Sequence, residues 1–254
     1  MSTQEFEGKT VLITAASRGI GLAIAHRLVD GGARVCITAR HADQLEAAVS
    51  QFPAGSVIGE AGSADDPEHR ERTCDRVATE WGGIDILVNG AGINPVYGPL
   101  EELDLDAARK VLEVNVIGTL AWTQSALRHG LGSKPAGGAI VNLSSYTGDI
   151  PSEGIGWYGI SKAAVSHLTR TLSVELAPRV RVNAVAPAVI KTRFASALYE
   201  GREDEVAAAY PLGRLGTPED VAETVAFLAG ERSRWITGQV ITIDGGLRNA
   251  GGTA

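Results

Sequence analysis

Tyr158 and Lys162, in Trp157-Tyr158-Gly159-Ile160-Ser161-Lys162, have the residue types and the spacing to move a proton together. On a helix, residues at i and i+4 share a face with β-carbons about 5–6 Å apart, so the phenol and the ammonium are neighbours. A nearby cation favours the phenolate, which predicts a tyrosine pKa lowered from its reference near ~10 toward working pH. Each unit of that shift takes about 1.4 kcal/mol of differential stabilisation, so two or three units need roughly 3–4 kcal/mol, more than one lysine need supply alone. Ser145, upstream of the pair, offers a hydroxyl for the same site. In a chain with 5 tyrosines a Tyr-x-x-x-Lys pair is also an ordinary helix-surface pairing, so its company decides how it is read.

That company begins near the N-terminus. Thr10-Val11-Leu12-Ile13-Thr14 reads as a strand buried on both faces, followed by the turn Thr14-Ala15-Ala16-Ser17-Arg18-Gly19-Ile20-Gly21 and a helix. Gly19 and Gly21 stand where the helix begins, so backbone can approach a pyrophosphate whose charge the helix N-terminus stabilises. In such turns an acidic residue about 20 residues further on holds the ribose diol of NAD, whereas an arginine accommodates a 2′-phosphate. Here the second strand ends Thr38-Ala39-Arg40-His41, with no carboxylate, and Arg18 can add a second positive charge. A guanidinium binds phosphate bidentately, so NADP(H) is expected rather than NAD(H).

The elements that must position these groups alternate short apolar runs with longer helical ones, the signature of β-α-β units around a parallel sheet. Further strands are expected at Val35-Cys36-Ile37-Thr38, weakly at Val57-Ile58, then at Ile84–Val88, Ala139–Leu143, Val180–Val185 and Gln239–Ile243. Helices are expected from Ile20 to the Gly31-Gly32 stop, over Asp43–Val49, Pro67–Trp81 and Asp106–Arg128, through Tyr158 to Leu176 before Pro178, and over Asp220–Leu228. The reading is therefore α/β, a Rossmann-type doubly wound parallel sheet of about seven strands with helices on both faces. Residues 1–254 are expected to form a single dinucleotide-binding domain. The long, charged stretch from Pro187 to Pro218, helical only from about Arg193 to Ala209, is expected to be a lid beneath which substrate binds.

Composition narrows the classes further. The chain has 254 residues, 44% hydrophobic and 21% charged, ordinary for a soluble globular protein and enough for a sizeable core. No apolar run approaches a membrane span, and Met1-Ser2-Thr3-Gln4-Glu5-Phe6-Glu7 does not resemble a secretory signal, so a cytoplasmic protein is expected. A net charge of −7 gives no overall field toward nucleic acid or an anionic membrane. Cys36 and Cys74 have no metal-ligand spacing, and His26, His41, His69, His129 and His167 bring no H-E-x-x-H pattern, so no catalytic metal is expected.

With these residues in order, the chain resembles the short-chain dehydrogenase/reductase family over essentially its whole length, its 3-oxoacyl-thioester reductase-like members included. The resemblance rests on the Thr14–Gly21 turn, Asn89-Gly90-Ala91-Gly92, Asn115 in Val114-Asn115-Val116, Ser145, Tyr158-x-x-x-Lys162 and Asp244-Gly245-Gly246. It implies a ketone/secondary alcohol oxidoreductase, assembled as a homotetramer, with catalytic Asn115, Ser145, Tyr158 and Lys162. The family's spacing selects Ser145 over Ser144. In those roles Tyr158 is general acid or base, Ser145 stabilises charge on the reacting oxygen, and Asn115 positions a water that relays protons to Lys162. Lys162 holds the nicotinamide ribose and, with the cationic ring, acidifies the phenol. The implied cofactor contacts are Thr14, Ser17, Arg18, Gly19, Ile20, Gly21, Arg40, Ser63, Ala64, Asn89, Gly90, Ala91, Tyr158, Lys162, Pro187, Ile190 and Thr192.

Three positions depart from the family pattern. Ala15 replaces a glycine of the turn, which is strained if that residue needs positive φ. Ser63 stands where an aspartate commonly meets adenine, and Ala188 replaces the glycine after Pro187. Candidate substrate contacts are Asn94, Tyr97, Thr147, Trp157, Phe194 and Leu198, with Pro95 and Tyr199 beside them, a set suited to a small carbonyl or alcohol with a hydrophobic body. Two other readings stay open. One is a catabolic NAD(H)-dependent alcohol dehydrogenase with Arg40 incidental, and the other a non-catalytic dinucleotide-binding protein.

Overall fold

Strands covered on both faces need apolar side chains at successive positions, and the chain supplies them. In the computed structural model, which describes residues 4–252, β1 is Thr10–Ile13, β2 Arg34–Ala39, β3 Val57–Ala61, β4 Ile86–Asn89, β5 Gly138–Leu143, β6 Val180–Pro187 and β7 Val240–Ile243. Residues 1–3 of the N-terminal stretch lie outside the described residues. The seven strands form one all-parallel sheet in the order β3-β2-β1-β4-β5-β6-β7, the doubly wound arrangement. The strand order reverses between β1 and β4, which opens a crevice at their carboxyl ends.

Alternation along each strand divides the core in two. Val11, Ile13, Ile86, Val88 and Val141 face one cluster with Ile24 and Leu28 of α1 (Gly19–Asp30) and Val221 and Val225 of α9 (Pro218–Ala229). Leu12, Leu87 and Ile140 point the other way, against Cys74 and Val77 of α3 (Pro67–Trp81), Trp122 of α5 (Gly118–Arg128) and Leu172 of α6 (Gly156–Glu175). The remaining helices are α2 (Ala42–Val49), α4 (Leu105–Leu112), α7 (Ser196–Tyr199) and α8 (Glu203–Ala207). The two cysteines are buried and free.

Some helix starts are capped by side chains and others, α1 and α6 among them, are open. Asp66 caps α3 through Glu68 N at 2.9 Å, Asp104 caps α4 through Asp106 N at 2.7 Å, and Thr217 with Asp220 forms a capping box on α9. By contrast, α1 has no capping side chain and no acidic residue in its first turn. Its leading N–H groups are left for something outside the helix.

Three elements differ from the sequence expectation. The helix expected over Asp106–Arg128 is α4 and α5 joined by a π-helical turn, Glu113–Ile117, with Asn115 at its centre. Burial of the Asn115 amide among fixed backbone partners holds this extra-wide turn, a feature common at functional sites. β3 runs to Ala61 because it pairs with Val35–Ala39 of β2, and so it outlasts its apolar residues. The helix expected from Arg193 to Ala209 is instead α7 and α8, with Gly201 between them. Neither is long enough to persist without packing against the rest of the chain.

Ala15 has φ 58°, the left-handed conformation, the only such case outside glycine among the described residues. An L-residue held there costs roughly 1–2 kcal/mol, against about 0.4–1 kcal/mol lost when glycine loosens the unfolded chain. Ala15→Gly is therefore expected to stabilise the protein by up to about 1.5 kcal/mol, raising the Tm by up to about 3–6 °C. Calorimetry on the two proteins checks it, and a lower Tm would mean that the methyl is favourable in place.

Candidate active site

The turn between β1 and α1 is built for close approach. A β-carbon on Gly21 would lie 2.7 Å from both the Ala15 carbonyl oxygen and the Ala16 α-carbon, so only glycine lets the helix start that near the strand. The uncapped end of α1 lies beside this turn, and that pairing of close backbone with unused N–H donors fits a dinucleotide pyrophosphate. Ser17 and Ile20 are partly buried there, and Thr192, at the start of the Pro187–Pro218 stretch, closes on Gly19, its Cγ2 3.3 Å from where a β-carbon would stand. Arg18 and Arg40 are exposed, and Arg40 has no ion pair among the described residues.

Other predicted cofactor contacts hold the scaffold with their side chains. The Thr14 hydroxyl accepts from Gly90 N at 2.9 Å and Ala91 N at 3.1 Å, so it ties the end of β1 to the loop after β4. Asn89 turns into the core, donating to Asn142 Oδ1 at 2.9 Å, and Asn142 donates in turn to Thr169 Oγ1 at 2.8 Å. Ser63 donates to Asp65, which also pairs with Lys110, and these bonds hold the Asp65 carboxyl down at about 2. The Ala64 carbonyl accepts from Trp122 Nε1 at 2.9 Å. Pro187 and Ile190 are buried, and pairing of Val189–Lys191 with Gly216 closes the neck of the lid segment.

Past the ends of β4 and β5 the side chains expected to be catalytic converge. Lys162 is 4% exposed, and its Nζ donates to the Leu143 carbonyl at 2.7 Å. Gly92 lies against this amine, where a β-carbon would stand 3.2 Å from Nζ, crowding it by a few tenths of an ångström, and 3.6 Å from Asn115 Oδ1. The Asn115 amide clamps the loop, accepting from Ile93 N at 2.8 Å and donating to Ile93 O and Ser161 Oγ, each at 3.0 Å. Ser144 is turned into α6, bonded to the Lys162 carbonyl at 2.9 Å and Ser166 Oγ at 2.7 Å. Ser145 is the serine that acts on the Tyr158 hydroxyl, while sharing a 3.0 Å hydrogen bond with Thr147 Oγ1.

The acidities differ from the sequence expectation. Tyr158 keeps some surface open to the cleft but lies deep in the protein, and burial pushes its phenol up to about 12, with Ser145 lowering it in part. The Lys162 ammonium lies 5.6 Å from the ring centroid and makes its short contact to a carbonyl, so burial outweighs its pull on the phenol. The same burial lowers Lys162 to about 8.

Of the candidate substrate contacts, Phe194 stands over Tyr158 with ring centroids 6.1 Å apart, and Tyr97 is near enough to act on its acidity. Asn94 has a buried Oδ1 without a partner among the described residues. Thr147 borders a groove of about 790 Å³ that also touches Leu100, Glu101, Asp149, Glu153 and Ile160. Trp157 is directed to α4, donating from Nε1 to the Ala108 carbonyl at 2.9 Å, and Leu198 packs into a small core beneath the lid. A second cavity, about 160 Å³, lies at the opposite end of the sheet beside Lys9, Asp85 and Arg181. Sequence reasoning quoted Gly92 only as part of a motif and missed Ser161. Their signal was adjacency to Ala91 and Lys162, and their partners are set by distant elements.

Comparison with known proteins places this geometry. The family model described as Enoyl-(Acyl carrier protein) reductase matches residues 14–248. Dehydrogenase/reductase SDR family member 4 of Caenorhabditis elegans is 40% identical over 258 aligned positions, covering 96% of this chain and 97% of that protein. The crystal structure of a short-chain dehydrogenase/reductase SDR:glucose/ribitol dehydrogenase from Brucella melitensis superposes with a TM-score of 0.90 at 32% identity, over 96% of this chain and 98% of that one. The structure of ElxO with NADP bound is similar at a TM-score of 0.87 and 34% identity, over 95% and 99% of the two chains.

A lysine whose pKa falls from 10.5 to about 8 on folding leaves the unfolded chain holding more protons between those values, so its contribution to stability rises with pH across that window. From pH 7.5 to 9.5 the ligand-free protein is expected to gain about 2 kcal/mol relative to Lys162→Met, measured as diverging urea midpoints. Parallel curves would mean that the ammonium keeps its ordinary acidity.

Proposed function

The chain belongs to the short-chain dehydrogenase/reductase family, and from that premise we propose that it is an NADP(H)-dependent enzyme interconverting a ketone and a secondary alcohol, with Tyr158 as general acid and base. It is an oxidoreductase acting on CH–OH and C=O groups. The observation that carries the finer reading is the convergence of Ser145, Tyr158, Lys162 and Asn115 past the ends of β4 and β5, beside the crevice that the uncapped α1 terminus faces.

In the reductive direction the Ser145 hydroxyl donates to the substrate carbonyl oxygen and stabilises the charge that develops there. A phenol pushed up to about 12 keeps its proton at neutral pH, so Tyr158 is ready to give it to that oxygen as the carbon is reduced. The phenolate left behind is stabilised by the nearby Lys162 ammonium, which, lowered to about 8, can itself return a proton. In the oxidative direction the alcohol proton passes back to the phenolate oxygen. NADP(H) supplies the hydride or accepts it, and its oxidised ring adds positive charge that favours phenolate. Asn115 holds Ile93 and Ser161, and thereby the loop on which Gly92 makes room for the ammonium.

Arg40 at the end of β2 and Arg18 in the turn support NADP(H) over NAD(H), and ElxO, similar in structure, binds NADP. Tyr97 and Phe194 bring uncharged rings beside the phenol. This supports a substrate uncharged near its reacting carbon, with a flat or hydrophobic body. Glu101, Asp149 and Glu153 along the neighbouring groove support a free small molecule over one carried by an anionic protein. The lid is residues 187–218 of one domain spanning the chain. Exposed Ile117, Ile160 and Val174, with Trp235 at 97%, support burial of these faces in a homotetramer. The free, buried Cys36 and Cys74 agree with a cytoplasmic setting.

NADPH is expected to bind about 10–100-fold more tightly than NADH, with Arg40→Ala removing most of the difference in a fluorescence titration. Equal affinities would transfer the assignment to NAD(H). Tyr158→Phe is expected to lower turnover by about 10²–10⁴-fold while dinucleotide affinity stays within error, using whichever of a panel of diketones, cyclic ketones, steroids and 3-oxoacyl thioesters is reduced. Unchanged turnover would place the proton donor elsewhere.

A further inference from the structure

Tyr146 separates Ser145 from Thr147, yet its ring points away from the cleft. It is 1% exposed, buried in a third core cluster with Val189, Tyr210, Leu215 and Leu247. That cluster joins the serine turn, the lid and the C-terminal segment. The Tyr146 hydroxyl donates to the Gly252 carbonyl at 2.7 Å, and Arg248 pairs with Asp149 at the far end of the same turn. The C-terminal segment is itself shaped to hold this position, with Asp244 accepting from Gly246 N at 3.0 Å and Arg248 N at 2.9 Å, and Gly252 N donating to the Leu247 carbonyl at 3.1 Å. It meets the lid as well, where Leu212 N donates to the Gly245 carbonyl at 3.1 Å and the Tyr210 hydroxyl accepts from Val189 N at 3.3 Å.

We propose that Tyr146 is a positioning residue for the reaction: held from behind by the C-terminal segment Asp244–Gly252, it sets the direction of the Ser145 and Thr147 hydroxyls toward Tyr158. The physical basis is leverage. Ser145 and Thr147 share a hydrogen bond within a short 3-10 turn, Tyr146–Gly148, and Tyr146 fixes that turn's rotation from its far side. A buried hydroxyl with one partner holds one direction, since its loss leaves the carbonyl unsatisfied. The Arg248–Asp149 pair is the second tie on the same turn.

The inference rests on the reading of Ser145 given above, and the test keeps the two apart. Tyr146→Phe removes the hydroxyl and keeps the ring, while Arg248→Ala cuts the other tie. In single-turnover reduction with saturating NADPH, each is expected to slow hydride transfer by about three- to tenfold while NADPH affinity matches the parent protein; Tyr146→Phe also lowers Tm through its lost buried hydrogen bond, whereas Arg248→Ala, which cuts an exposed pair, leaves Tm close to the parent's. A merely structural role would lower dinucleotide affinity together with the rate. Parental rates in both variants, or a rate loss matched by an equal loss of dinucleotide affinity, would overturn the proposal. Ser145→Ala, assayed alongside, is expected to lose far more. If it were fully active the reading of Ser145 would fail, whereas a slow Ser145→Ala beside two parental variants would reject only the role of Tyr146.

Discussion

Burying the Lys162 ammonium is the constraint around which the rest of the site is organised. A charged amine taken from water must find oxygen, and here that oxygen is the Leu143 carbonyl at the end of β5. The carbonyl is free for it because β4, on that side, pairs with β5 only as far as Asn142, and Gly92 leaves the amine uncrowded. Asn115 fixes the loop carrying Gly92, and the Ser144 hydroxyl binds the lysine's own backbone carbonyl, so both ends of the side chain are held. The phenol one turn earlier shares the burial. Its acidity is therefore set first by desolvation and only then by its neighbours.

The sheet explains why these groups meet at all. All the strands run the same way, so their carboxyl ends lie on one edge, and the turns that follow β1, β4, β5 and β6 gather there. Thr14 ties the first of these turns to the second, and the chain from Asn89 through Asn142 to Thr169 ties β4 to β5 and α6 through the core. Buried polar links of this kind allow few alternative arrangements. The Pro187–Pro218 stretch, with little sheet pairing of its own, depends on the small core around Tyr146 and Tyr210.

Much of this was legible in the chain. The apolar strands, the glycine turn, the Tyr158/Lys162 spacing and the order of the motifs all report local or one-dimensional requirements. They predicted a doubly wound parallel sheet and the elements that carry the site. The π-helical turn at Asn115 was not legible, because valine and isoleucine on either side fit a regular helix and the extra residue is held by bonds to Ile93 and Ser161. The division of the lid into α7 and α8 was hidden in the same way, since the short charged runs carry helical spacing whether or not they join. The positive φ of Ala15 was foreseen only as a condition to be checked, and it holds.

Residue type and spacing by themselves determined the class of fold, the dinucleotide turn and which tyrosine and lysine share a helix face, because each depends on periodicity along one element. What only the tertiary structure decided was where those side chains spend their bonds. It sent the lysine to a carbonyl, turned Ser144 inward and left Ser145 facing the phenol, directed Trp157 to α4 and raised the pKa of Tyr158 instead of lowering it. Those outcomes depend on desolvation and on hydrogen-bond partners brought from distant parts of the chain, and neither quantity exists until the sheet has closed over its helices.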